Sequence, residues 1–387
     1  MITAIVNGRL LLPDGLAAGG ALLLEGARVL GTAAAPPEGA REVDAQGLIV
    51  SPGFVDMHVH GGGGADFMDG TPETFCTAAR NSLRGGATTI YPTTLCAPDA
   101  ALYRTLDVFE AVRDRPGLPR MPGLHLEGPY FAAAQAGAQD PEALRLPLPA
   151  HYGPLLERHA LLARISVACE LEGALALGDR LRALGIVAAI GHSDARYPEV
   201  LAAVAHGYTH VTHLYSGMST LRREHAHRVL GVLESAYLLD GLTVEVIADG
   251  HHLPPELLRL ILKCKPNASV SLITDALRGA GLPEGSRIRM GDADRWAVVE
   301  GGVAYMPDHS CFAGSVVNAA QCVRTLNKQV GLPLAQAVAL MSVNPCRVMG
   351  LSDRRGTLAP GMDADLVFFD DEVNVRAVWI AGEPVAL

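Results

Sequence analysis

Residues 53–60 read GFVDMHVH, and the reading of the fold starts there. Phe54, Val55, Met57 and Val59 give a short apolar run, the texture of a strand buried on both faces. His58 and His60 are two apart, so on a strand their side chains point the same way. Seven more runs of this kind follow: TTIYPTT (88–94), MPGLHLEG (121–128), ARISVACE (163–170), IVAAIGHS (186–193), YTHVTHLY (208–215), LTVEVIADG (242–250) and SVSLITDA (269–276). Helical spacing separates them, as with Leu102, Leu106, Phe109 and Val112 in 98–113, and further helical patterns lie at 72–85, 174–185, 197–206, 254–264, 315–329 and 333–349. Eight β-runs alternating with helices predict a (β/α)8 barrel, with an open doubly wound sheet as the other topology of that pattern. GGGG at 61–64 does not fit the glycine spacing of a dinucleotide site.

Outside the barrel the texture changes. AIVNGRLLL (4–12), GGALLLEGARVLG (19–31) and AQGLIVSPG (45–53) are short β-runs between Gly and Pro turns, and 356–371 and 375–385 repeat the pattern. Neither end holds enough strands to bury both faces of a sheet. The two ends are therefore expected to join in one small β-sandwich: 1–52 and 354–387, with the barrel over 53–353.

The composition of the 387 residues fits a compact enzyme: 49% hydrophobic, 19% charged, net charge −10. That acidity argues against nucleic acid and anionic membranes as partners. No apolar run reaches the roughly 18 residues of a membrane span, and MITAIVNGRLLLPDG lacks the basic region of a signal peptide. Seven scattered cysteines without a C-x-x-C pair read as reduced thiols, so a cytoplasmic location is expected.

Five of the eight runs end in side chains suited to metal or proton chemistry: His58 and His60, Glu127, His192, His213 and Asp275. The C-terminal strand ends of such a barrel face the active site. Singly, each has a plainer reading: a hydrogen-bonded histidine pair, a turn before Gly-Pro, a cap. Together they converge on one mouth, where buried imidazoles and carboxylates need an ion to satisfy them.

The segments SPGFVDMHVHGG, GLHLEGPY, GHSDA, THLYSGM, ADGHHLP, LITDA and FAGS, with GTLAPGMDADLV near the end, resemble the motif series of the amidohydrolase superfamily. Order and spacing are most similar to the N-acetylglucosamine-6-phosphate deacetylases, over essentially the whole chain. The resemblance implies a principal divalent site of Glu127, His192 and His213, and a second of His58 and His60. It makes Asp275 the general base and then acid, in an attack by metal-activated hydroxide on an amide. Zinc is implied first, with iron, manganese or cobalt suited to the same ligands. His252 matches a histidine that contacts the substrate phosphate across a dimer interface, which implies a homodimer.

The sequence departs from that series at two places. The loop after Glu127 carries Gln139 where the family has a carbonyl-polarising histidine, so the His58/His60 ion is expected to supply part of that polarisation. Ser216 and Gly217 replace Asn-Ala in the anion-binding segment, and Arg222, Arg223, His225, His227 and Arg228 form a basic run there. A guanidinium suits phosphate, so Arg223 joins His252 as an expected anion contact, the alternative being a solvated basic turn. His125, two residues before Glu127 and facing the same way on its strand, is expected to orient a ligand of the centre. The expected reaction is deacetylation of an amino-sugar phosphate. The alternatives are another N-acyl amino sugar, an N-acyl-D-amino acid, a cyclic amide, or a barrel that only binds.

Overall fold

A computed structural model describes residues 1–290, 295–309 and 311–387. All eight expected runs are strands: Phe54–Val59, Ala87–Pro92, Leu124–Glu127, Leu162–Val167, Val187–Ile190, Tyr208–Val211, Thr243–Ile247 and Val270–Ile273. The last six form one parallel sheet in chain order, and the first two pair in parallel. Bridges between Thr93 and His125 and between Val59 and Ala276 join the two sets at both edges. The sheet therefore closes, and the (β/α)8 barrel replaces the open alternative.

The helices follow from local chemistry. Pro72–Arg84 starts on Thr71, whose hydroxyl accepts from Thr74 N, with Pro72 in the first turn. Asp99–Val112 buries Leu102, Leu106, Phe109 and Val112 on one face, as its spacing predicts. The stretch 315–329 is not one helix. It opens as strand Phe312–Ser315, turns helical only at Ala319–Arg324 behind the Asn318/Gln321 capping box, and widens to a π-turn over Thr325–Val330. The pattern at 333–349 breaks at Ser342 (φ −135°, ψ −71°) into Leu334–Met341 and Val343–Val348.

Strands from the two chain ends share a sheet. Ile49–Pro52 pairs antiparallel with Leu366–Phe369, placing Val50 opposite Phe368. A second sheet comes from the N-terminal segment alone, through Ile2–Val6, Ala21–Glu25, Arg28–Ala33 and Arg41–Asp44. Ile5, Leu22, Leu24, Val50, Leu366, Phe368 and Trp379 fill the space between them. No helix among the described residues is long and apolar enough to cross a membrane. All seven cysteines are free thiols, five of them buried.

After the eighth strand an antiparallel sheet intervenes, running through Arg287–Arg289, Trp296–Glu300, Val303–Tyr305 and Phe312–Ser315. Its last strand bridges back to the barrel at Ala276 through Ser315. That bridge carries Phe312, Ala313 and Gly314 to the cavity described next.

Candidate metal centre

The barrel brings the six expected side chains to one place. Glu127 closes the third strand, His58 lies in the first and His60 just beyond it. His192, His213 and Asp275 each stand two residues past the end of their strands, and each has positive φ: 47°, 26° and 49°. Non-glycine residues rarely adopt that conformation, and it clusters where a site imposes a geometry.

Glu127 sits among the histidines. Its Oε1 is 2.9 Å from His213 Nε2 and 3.4 Å from both His192 Nε2 and His58 Nε2, while Oε2 is 3.5 Å from His60 Nε2. Asp275 Oδ1 lies 3.1 Å from His60 Nε2 and 3.4 Å from His58 Nε2. Two ligand sets result, His58/His60/Glu127 and Glu127/His192/His213, with the atoms of each within 4.8 Å of one another. Glu127 belongs to both.

The proton positions test whether an ion fits. His192 Nδ1 meets Gln135 O at 2.8 Å, His213 Nδ1 meets Ser216 O at 3.2 Å, and His58 Nδ1 meets Glu245 Oε1 at 2.8 Å. Carbonyl and carboxylate oxygens only accept, so these rings carry their protons on Nδ1. In the neutral rings each Nε2 is then a lone pair. His192 and His213 turn those lone pairs on each other at 3.1 Å, an arrangement that needs a cation between them. Burial opposes a proton on His60, yet Asp275 and Glu127 raise its pKa to about 9. Burial likewise opposes charge on Glu127 and Asp275, but the imidazoles more than offset it and hold both carboxyls below the usual range. The site calls for positive charge, and a divalent cation suits the donor set.

A cavity of about 230 Å³ opens on His60, Glu127, His192, His213 and Asp275, with Gln139, Ser216, Gly217 and His252 also on its lining. His252 belongs to this chain's own cavity; its Nδ1 lies 2.6 Å from Asp249 Oδ2 and its ring packs on Phe312. Gln139 is buried, with its amide between Glu127 and Cys96 N. The basic run folds as a hairpin, Arg222–Glu224 with His227–Val229. Arg222 is tied to Asp194 and Glu224, and Arg223 is exposed and does not line the cavity. His125 bonds to Ser166 and Thr93 and packs edge-on against His58, so it supports that ring.

Residues 49–385 match the amidohydrolase family. The chain belongs to that family. It is 32% identical over 354 residues to an N-acetylglucosamine-6-phosphate deacetylase of Danio rerio, covering 89% of this chain and 86% of the relative. Against an N-acetylgalactosamine-6-phosphate deacetylase of Escherichia coli O157:H7 it is 32% identical over 351 residues, 90% of each. An N-acetyl-D-glucosamine-6-phosphate deacetylase variant from Mycobacterium smegmatis, solved with N-acetyl-D-glucosamine-6-phosphate, superposes with TM-score 0.89 at 32% identity, covering 100% of this chain and 99% of that one. The deacetylase fold from Pasteurella multocida superposes with TM-score 0.91 at 24% identity, covering all of both chains. This amidohydrolase is a hydrolase of carbon–nitrogen amide bonds, similar to those deacetylases.

Three side chains that support the centre escaped the sequence reading. Glu245 and Arg164 form an ion pair inside the amidohydrolase barrel, both fully buried, and Glu245 holds His58. Each is the one charged residue in an apolar strand, TVEVI and LARISV, and a charge in such a run demands a partner. Phe131 stacks on His192 at 4.4 Å between ring centres, in a loop with no periodic signal.

Proposed function

We propose that this amidohydrolase cleaves the acetamido group of N-acetylglucosamine 6-phosphate, giving glucosamine 6-phosphate and acetate. The observation that carries the reading is Asp275 beside two ligand sets that share Glu127, all opening on one cavity with His252. Glu127, His192 and His213 would hold the principal divalent ion, and His58 and His60 with Glu127 a second. Such an ion supplies Lewis acidity, acidifying water and polarising a carbonyl oxygen. Zinc is the first expectation, with iron, manganese or cobalt suited to the same ligands.

Asp275 moves the proton. Its Oδ1 takes one from the attacking water and returns it to the departing amine, so that the C–N bond breaks with a neutral leaving group. His252, braced at Nδ1 by Asp249, presents Nε2 to the anionic end of the sugar, with Ser216 and Gly217 on the same lining. Arg223 would meet an anion only from another subunit, as in the cytoplasmic homodimer that the motif resemblance implies.

The relative named as an N-acetylgalactosamine-6-phosphate deacetylase supports a second reading, the C4 epimer of the same phosphate as substrate. Acetate release from both phosphorylated epimers and from unphosphorylated N-acetylglucosamine decides between them. The proposal expects the highest kcat/KM on the phosphorylated glucose epimer. Metal-replete protein that releases acetate from none of the three would overturn it.

A further inference from the structure

Gln139 is held at every polar group. Its amide N donates to Ala136 O at 3.0 Å, its carbonyl accepts from Arg295 Nη1 at 3.0 Å, and its side chain spans Cys96 and Glu127. Cys96 N is a backbone donor, so the side-chain atom facing it at 2.8 Å must be the oxygen. That fixes the amide orientation and aims the NH2 group at Glu127 Oε2, 2.6 Å away. Gln139 therefore has one amide proton left for anything in the cavity.

The two oxygens of Glu127 have different neighbours. Oε1 faces His213, His192 and His58, whereas Oε2 faces His60 and Gln139. A carboxylate free to turn about its last bond would present both oxygens to one ion as readily as one to each. The Gln139 hydrogen bond removes that freedom, and a neutral amide does so without adding a charge between two cations.

We infer that Gln139 is a positioning residue that pins Glu127 as the shared ligand of two ions, its Oε2 assigned to the His60 side. The inference rests on the metal reading of the site and deepens it. It also gives Gln139 a task other than contact with the substrate carbonyl.

The test is binding of Mn²⁺ to the full chain without substrate, for wild type, Gln139→Ala and the isosteric Gln139→Glu. Both variants should weaken the second ion about 10–100-fold, the usual scale for losing a partner of a metal ligand, and the first ion less. The exchange-coupled electron paramagnetic signal of the ion pair should fade in step. Gln139→Glu keeps the shape but buries a second carboxylate beside Glu127, so thermal unfolding of the same samples separates a lost ion from a failure to fold. Wild-type affinities and coupling in both variants would overturn the inference, as would a wild type that binds one ion only. No sugar is used, so failure of the deacetylase reading would register separately, in the turnover assay.

Discussion

Glu245 accepts the Nδ1 proton of His58 at 2.8 Å. The same carboxylate takes two hydrogen bonds from Arg164, at 2.5 and 2.7 Å. Burial alone would raise the Glu245 carboxyl, but Arg164 and His58 more than offset it and hold it well below the usual range. It is therefore an anion that only accepts, and it fixes which nitrogen of His58 faces Glu127, Asp275 and His60. Glu245→Gln should weaken the ion at His58/His60 about 10–100-fold in chelator competition. It also strands Arg164 without its counter-charge, at about 3–5 kcal/mol in denaturant titration. Adding Arg164→Met should restore most of the stability and none of the metal affinity. Recovery of both together would mean that Glu245 acts on the fold alone.

Gly217 is constrained by His192. Its φ is +53°, and a Cβ there would stand 2.7 Å from His192 Nδ1 and 3.2 Å from Gln135 O, the two atoms of the bond that orients the ring. This explains why glycine occupies the second place of the Ser216–Gly217 pair. Gly217→Ala should cost about 1–2 kcal/mol for the left-handed backbone. The ion at His192/His213 should weaken by about tenfold as the ring shifts. Unaltered metal affinity in the alanine variant would show that the ring tolerates the contact.

His58 and His60 each lie within 3.5 Å of both Glu127 and Asp275. Their joint replacement, His58→Ala with His60→Ala, should leave one ion per chain and cut kcat by about 100-fold or more, the scale of losing one group that stabilises a developing oxyanion. Metal analysis and turnover on the same sample check it. A double variant with unchanged rate would mean that the second ligand set is not used in the reaction.

The barrel could be read from the sequence because strands buried on both faces appear as uninterrupted apolar runs, and the residues that break the pattern fall at their C-terminal ends. Glu127, His192, His213 and Asp275 were legible for that reason. The sheet over Arg287–Ser315 was not: its strands of three to five residues look like the turns between them. Helix Pro149–Leu156 hid behind its internal Pro154, and Val232–Leu238 is too short for a period to register. The Arg164–Glu245 pair spans 81 residues of sequence, so each charge was visible and its partner was not. Arg223 is a different case: the fold turns its basic run into an exposed hairpin, so within one chain it does not line the cavity.

Asp275 carries the central claim, and its variant tests it most directly. Burial would raise this carboxyl, but His58 and His60 more than offset that and hold it below the usual range. A divalent ion in the same place acts in the same direction. A general base works when ionised, so the rate should fall as pH drops through this lowered value and stay level above it. Acetate release from N-acetylglucosamine 6-phosphate should be followed against pH for wild type and Asp275→Asn at equal metal content. The account predicts a loss of about 10²–10⁴-fold in kcat for the variant, with its acid limb gone. A variant that keeps both the wild-type rate and the wild-type acid limb would contradict it.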